Sequence, residues 1–263
     1  MPAYEGTLLA VERQRIILET LDREGAVRNA ELKELLNVSM ATIRSDLREL
    51  EASGVCEVIW GGAVSKRRLA SDSESFLAER SKLHPDAKRR IGARAAQLVE
   101  VGQTIIVDAG STTVELVHHL PRDWDYLRIV TYALNVATIA AQFPYIELVM
   151  TGGILRHLTR SLIGPQVIHS IENVNADWVF LATGGFSIER GVTTSNILDM
   201  ECKRAVCERA GKIVVMADSS KLGKILSLTV IPMSKVDVLI TDTDMSDEDA
   251  DKIDELGVDV LRV

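Results

Sequence analysis

From residue 104 to its end the chain repeats one local pattern: a short run of β-branched and aliphatic residues ends in a polar or glycine residue and gives way to an amphipathic stretch. Such runs occupy 104–108, 128–131, 147–151, 177–182, 212–217, 236–241 and 258–262. Most are separated by segments of helix length, 113–120, 135–142, 197–210 and 246–256. Strands so continuously apolar are buried on both faces, and strands that alternate with helices pair in parallel. The second part of the chain is therefore expected to be an α/β domain with a mostly parallel sheet covered by helices. Ser246 with Asp249 three residues on predicts a capped start for the last helix, and Gly257 its left-handed end.

Residues 1–63 have a different texture. Ile16, Ile17 and Leu21, then Leu32, Leu35 and Leu36, recur at helical spacing, with Gly25 and Asn37 interrupting. A third helix is expected from Val38-Ser39 through Leu50, capped by the Ser39 hydroxyl and stopped at Gly54. Val55 to Ile59, followed by Gly61-Gly62, suits a small hairpin. Two helices of these lengths around a turn at Asn37-Val38 make a helix-turn-helix, in which Ile43, Leu47 and Leu50 face the core. Met40, Thr42, Arg44, Ser45 and Arg48 are left facing outward as candidate DNA contacts, together with Ser39. Residues 1–80 hold 11 Lys and Arg against 14 Asp and Glu, so any attraction to DNA is local to that face. Residues 64–80 are polar, have little periodicity and are expected to be a linker, which leaves 81–263 as the second domain.

Several functional classes drop out. No apolar stretch approaches the ~20 residues that a membrane span needs, and the first residues carry no secretory signal, so a cytoplasmic protein is expected. The three cysteines, Cys56, Cys202 and Cys207, form no C-x-x-C pair and are expected to be reduced packing thiols. Neither G-x-G-x-x-G nor a P-loop occurs, and the five histidines have no metal-binding spacing, so no cofactor and no metal are expected.

Ligands of open parallel sheets sit at the carboxyl ends of the strands. Here those ends read Asp108-Ala-Gly110-Ser111-Thr112-Thr113, Thr131, Thr151-Gly152-Gly153, Thr183-Gly184-Gly185 and Asp218-Ser-Ser-Lys221. A glycine turn with three hydroxyls ahead of a helix offers free N–H groups and a positive helix end, which suit a phosphate. The same residues also serve as ordinary turn and cap chemistry, but five polar ends in neighbouring strands favour a site.

The run Val38-Ser-Met-Ala-Thr-Ile-Arg-Ser-Asp-Leu, with Leu50-Glu-Ala-Ser-Gly54 and Gly61-Gly-Ala63, resembles the winged helix-turn-helix of DeoR-type transcriptional regulators. Ser75-Phe-Leu-Ala-Glu-Arg80, Asp108 to Thr113, Thr151-Gly-Gly153, Gly191-Val-Thr-Thr194, Glu201-Cys-Lys203 and Asp218 to Lys221 follow in the order of that family's effector domain. The resemblance spans about residues 10 to 260. It implies a winged, all-α DNA reader joined to a sugar-phosphate-binding domain related in fold to ribose-5-phosphate isomerase, and it adds Thr193, Glu201 and Lys203 to the effector-binding candidates. The chain departs from the family pattern at Ser45, at Glu57, Val58 and Trp60 of the wing, at Tyr132 and at Leu222. Trp60 is expected to pack under the hairpin.

The expected function is thus a repressor of a sugar-catabolic operon, working as a dimer or tetramer on double-stranded operator DNA and released by a phosphorylated sugar. An isomerase using Asp108, Glu201, Asp218 and Lys221 is the rival from enzymology, although a DNA-reading domain has no purpose in that chemistry. A sugar-binding module whose N-terminal domain meets protein instead of DNA is the third reading.

Overall fold

In the computed structural model, residues 9–24, 26–59, 61–65 and 77–263 are described. The chain divides into two compact units, Met1–Glu74 and Ser75–Val263.

The first unit contains α1 (Ala10–Glu24), β1 (Ala26–Arg28), α2 (Asn29–Leu36), α3 (Met40–Ala52), β2 (Cys56–Ile59) and β3 (Gly62–Ser65). Its core joins Ile16, Ile17 and Leu21 to Leu32, Leu36, Ile43, Leu47 and Leu50, the positions marked by helical spacing. Asn37, at φ 50°, closes α2, and the Ser39 hydroxyl accepts from the Thr42 N–H at 3.1 Å to start α3. Gly54, at φ 82°, takes the left-handed conformation just past the end of α3. The hairpin β2–β3 gains a third antiparallel strand, β1, giving the order β1-β3-β2. Three residues beside Gly25 give no alternation to read, so β1 was not expected. Trp60, and with it the expected packing under the hairpin, lies outside the described residues, as does 66–76 of the expected linker.

The second unit opens with two helices, α4 (Leu77–Lys82) and α5 (Pro85–Ala96). Helix α4 begins within the stretch expected to be linker and crosses its expected end at residue 80; at six residues it is too short for periodicity to register. Strands β4 (Thr104–Val107), β5 (Leu127–Thr131) and β6 (Ile146–Met150) alternate with α6 (Thr113–His118) and α7 (Leu134–Ala140). A hairpin, β7 (Ile154–Arg156) and β8 (Ser161–Ile163), precedes α8 (Pro165–Ile171) and β9 (Ala176–Ala182). Next come β10 (Gly185–Ser187), β11 (Gly191–Thr194), α9 (Ile197–Cys207), β12 (Ala210–Met216) and β13 (Leu228–Ile231). The chain closes with β14 (Val238–Thr241), α10 (Asp247–Asp254) and β15 (Asp259–Arg262).

The central sheet has the order β15-β14-β12-β9-β4-β5-β6, parallel throughout, so all seven expected strands are found. Successive residues of a strand feed opposite cores. Ile105, Val107, Phe180 and Val214 pack with α5, α6 and α7, whereas Ile106, Val179, Leu181 and Val215 pack with α8, α9 and α10. Burial on both sides is why these strands read as unbroken apolar runs. The chain builds the sheet outward from β4 to β6, returns to place β9 against β4, and then builds the other way. The β4/β9 boundary is therefore the topological switch point, where the strand ends diverge and leave a crevice.

Candidate functional site

Two expected site residues, Asp108 and Lys203, form the floor of that crevice. Asp108 follows β4 and is fully buried. One carboxylate oxygen accepts from the Ala109 N–H at 2.7 Å and from the Tyr132 hydroxyl. The other accepts from the Ala182 N–H at 2.9 Å and from Lys203 Nζ, which also donates to the Ala182 carbonyl at 2.9 Å. Burial alone would lower the Lys203 pKa, but the charges of Asp108 and Asp199 outweigh it and hold the ammonium above its ordinary value. Four donors on one carboxylate leave it little capacity for a ligand. Asp108 thus fastens β4, β5, β9 and α9 together at the switch point.

Other expected residues are committed in the same way. Thr113 Oγ1 donates to the Asp108 carbonyl and Thr131 Oγ1 to the Val107 carbonyl, each at 2.7 Å. Thr193 Oγ1 donates to the Gly185 carbonyl at 2.7 Å and accepts from the Leu226 N–H at 3.0 Å. Several glycines are dictated by close approach: a Cβ on Gly110 would lie 2.4 Å from the Ala182 Cβ, and one on Gly185 2.3 Å from the Lys224 carbonyl oxygen. Gly184 faces Leu226, while Gly152 and Gly153 pass against α8 and β8 beyond β6, two strands away from the switch point. Glu201 is exposed on α9, turned away from the buried face that carries Asp199, Cys202 and Lys203, and does not join the cluster.

Ser111 and Thr112 remain. Each is 6% exposed, yet among the described residues neither hydroxyl has a hydrogen-bond partner, and the N–H groups of Gly110, Ser111 and Thr112 have none either. Asp218 follows β12, beside β9; Ser220 donates to one of its oxygens, and the other is buried without a hydrogen bond. Lys221 Nζ stands 4.0 Å from that second oxygen. Burial pulls the Lys221 pKa down, Asp218 opposes this, and Lys224 and Arg80 add to it.

Four contributors were missed by sequence reasoning. Asp242, at the end of β14, accepts from the Ser219 N–H and hydroxyl, both at 2.8 Å, and so fixes the turn that presents Lys221. Tyr132, one of the departures from the family pattern, is fully buried against Asp108. Arg80 of α4 reaches the crevice: burial lowers its pKa, and the charges of Asp108, Asp199 and Asp218 oppose that shift. It donates to the Thr183 carbonyl at 3.4 Å. Lys88 of α5 donates to the carbonyls of Arg80 and Leu83, and burial pushes it down to about 8, with Asp218 opposing and Lys221 and Arg80 assisting. The available signals were Arg80 at the end of a recognisable motif and Lys88 in register with Ile91 and Ala95.

In the first unit, Arg44, Ser45 and Arg48 are exposed and Met40 and Thr42 half-buried, as expected of an outward face. The Ser39 and Thr42 hydroxyls bond each other at 2.9 Å, so both are engaged in capping. Met40, Arg44 and Arg48, four residues apart, line a concavity of about 430 Å³ together with Asn29 of α2 and Val58 and Gly61 of the hairpin. Asp46, on the opposite side of α3, is buried and takes two hydrogen bonds from Arg13 of α1, at 2.8 and 3.0 Å.

A helix-turn-helix with a hairpin wing, joined in one chain to a parallel α/β unit with a polar crevice at its switch point, is the build of a ligand-responsive transcriptional regulator. Residues 13–68 match the DeoR-like helix-turn-helix domain, and residues 83–243 the DeoR C terminal sensor domain. The chain belongs to the DeoR family of transcriptional regulators. It is 32% identical to a putative aga operon transcriptional repressor of Escherichia coli O157:H7, covering 96% of this chain and 93% of that protein. The regulators GolR of Listeria innocua and GlpR of Haloferax volcanii are each 34% identical, with 95% and 97% of this chain covered and 97% and 98% of theirs. All three are named as transcriptional regulators or repressors. Among solved structures, ribose 5 phosphate isomerase A from Neisseria gonorrhoeae aligns over 54% of each chain at 14% identity, with a TM-score of 0.39. No helix among the described residues is long and apolar enough to cross a membrane.

Proposed function

We propose that this regulator is a cytoplasmic repressor of a carbohydrate-catabolic operon, dimeric or tetrameric on paired half-sites, and that a phosphorylated sugar in the switch-point crevice releases it from DNA. One observation carries the effector reading. The Gly110–Thr112 turn offers hydroxyl and N–H donors without a partner among the described residues, at strand ends that also hold Lys221 and that Arg80 reaches from α4. Unfilled donors next to desolvated positive charge favour a dianion over a neutral sugar. Asp108, Thr113, Thr131, Thr193 and Lys203 then act as the frame, and Ser111, Thr112 and Lys221 as the contacts. A thermal-shift screen of aldose and ketose phosphates tests this, because a ligand bound only by the folded state raises the melting temperature. An unphosphorylated sugar that stabilises the protein more than its phosphate overturns the reading.

Lys221→Ala and Thr112→Val are expected to bind operator as wild type does and to melt close to it without ligand. Both should need far more effector for release, since effector and operator affinities are linked reciprocally. Release of Lys221→Ala at the wild-type effector concentration removes that lysine from the pocket.

For the DNA face, Arg44 is exposed on α3 beside the concavity shared with the wing. Arg44→Ala is expected to lose about 1–3 kcal/mol of operator binding, roughly 5- to 150-fold, as for one well-placed base contact. Gel shift at matched salt with DNA upstream of the regulator's own operon measures it. Unchanged affinity means that α3 is not the reader.

A further inference from the structure

Helix α4 is held to the sensor unit by polar contacts more than by burial. Leu77 is its one buried residue, while Ala78, Glu79 and, just beyond, Leu83 are exposed. A helix of six residues has no stability of its own in water, so its attachments decide where it sits. There are three. The Leu77 N–H donates to the Leu158 carbonyl at 3.0 Å, Arg80 donates to the Thr183 carbonyl at 3.4 Å, and Lys88 Nζ grips the Arg80 and Leu83 carbonyls at the end of the helix. Two of these attachments are made by cations that also belong to the crevice. Arg80 lies within electrostatic reach of Asp108, Asp199 and Asp218, and Lys88 within reach of Asp218, Lys221, Arg80 and Glu115 of α6. Helix α4 is also the first described element after 66–76, the stretch of chain through which the two units are covalently joined.

We propose that Lys88 is the positioning residue that ties α4 to the state of the crevice: with the crevice empty it clamps the last carbonyls of the helix, and an anionic phosphoryl group draws Lys88 and Arg80 toward itself and reseats α4. This rests on the phosphate reading of the crevice. The physical basis is competition for cations. Lys88 is 3% exposed and the two carbonyls it grips are neutral acceptors, so an incoming anion has a differential affinity for a rearranged clamp. A neutral ligand has none. Because α4 leads directly into the chain toward the DNA reader, its displacement is the change that the reader can register.

Amide hydrogen exchange on the full chain tests this, with wild type, Lys88→Met and Lys88→Arg, each with and without inorganic phosphate, and with melting curves run in parallel. Phosphate is expected to change exchange of the 77–84 amides in wild type by roughly tenfold, the effect of gaining or losing one charge-assisted hydrogen bond on a local opening. Lys88→Met is expected to exchange these amides fast from the start and to show no phosphate response, whereas Lys88→Arg, which keeps the cation, restores the response. A purely structural lysine predicts faster exchange across α5 and the sheet instead, with the α4 response intact. That result overturns the proposal. If phosphate raises the melting temperature of wild type while 77–84 stay silent, the pocket stands and the coupling falls. If phosphate changes neither, both fall. Should Lys88→Met fail to fold, the wild-type and Lys88→Arg arms decide.

Discussion

Asp108→Ala is expected to destabilise the sensor unit by about 3–5 kcal/mol, the cost of removing one partner from a buried ion pair. The residue at stake is fully buried, and its loss strands Lys203, 6% exposed, with the Ala182 carbonyl as its remaining hydrogen-bond partner. Hydrogen bonds from the Ala182 N–H and the Tyr132 hydroxyl go as well, so β4, β5 and β9 lose their common fastening at the switch point. Urea unfolding followed by the fluorescence of Trp124 and Trp178, both in this unit, gives the difference from the shift in midpoint at constant slope. Adding Lys203→Met should recover part of the loss, since the double variant no longer buries an uncompensated charge. The pH dependence has a definite sign. The Lys203 pKa is raised in the fold, so its contribution is complete below the unfolded lysine value and disappears only as pH rises through the folded one. The gap between wild type and Asp108→Ala should therefore not be eroded by lysine titration around neutrality. A loss below about 1 kcal/mol, the scale of an exposed pair, means that the carboxylate is not a fastening and is free to meet ligand.

The double role of strand-end residues explains which parts of this molecule the sequence discloses. All seven strands of the main sheet were readable because each carries adjacent β-branched or aliphatic residues, in the longest runs where the central strands are buried on both faces. Helix α3 was readable because Ser39 and Gly54 mark its ends. The hairpin β7–β8 and the small sheet β10-β11-β13 were not, because their short strands carry too few positions to show a period. Helix α5 escaped for another reason. Its buried face is Lys88, Ile91, Gly92, Ala95 and Ala96, mostly small residues, because α6 lies so close that a Cβ on Gly92 would sit 2.4 Å from the Glu115 Cβ. At the site, the polarity of Asp108, Thr131 and Lys203 is plain in the sequence, but whether a hydroxyl or carboxylate faces ligand or protein depends on partners far along the chain. Asp108 and Lys203 are 95 positions apart. Arg80 and Lys88 come before β4, the first strand of the main sheet, so the ends of its strands do not include them.

Asp46→Ala is expected to abolish operator binding without touching the DNA-facing surface. Asp46 sits on α3 but on the core side, 2% exposed, and Arg13 of α1 binds both of its oxygens, at 2.8 and 3.0 Å. Such a two-bond pair fixes orientation as well as distance, so it sets the rotation of α3 about its axis. Donating these hydrogen bonds to Asp46, with the attraction that accompanies them, raises the Arg13 pKa despite some burial, so the guanidinium stays charged. Removing the carboxylate takes away the two charge-assisted bonds that orient the guanidinium, at a cost of about 1.5–3 kcal/mol. In a unit of this size that is a large share of the total, because small domains bury too little surface to hold much in reserve. Circular dichroism should show loss of helix at a lower temperature for this unit while the sensor unit melts as before. Gel shift should show a loss well beyond the roughly 5- to 150-fold expected for Arg44→Ala, since every contact of α3 fails together. Asp46→Asn keeps an acceptor for Arg13 and should fall between the two. An Asp46→Ala protein that binds operator with wild-type affinity would mean that the Ile43, Leu47 and Leu50 contacts alone orient the helix.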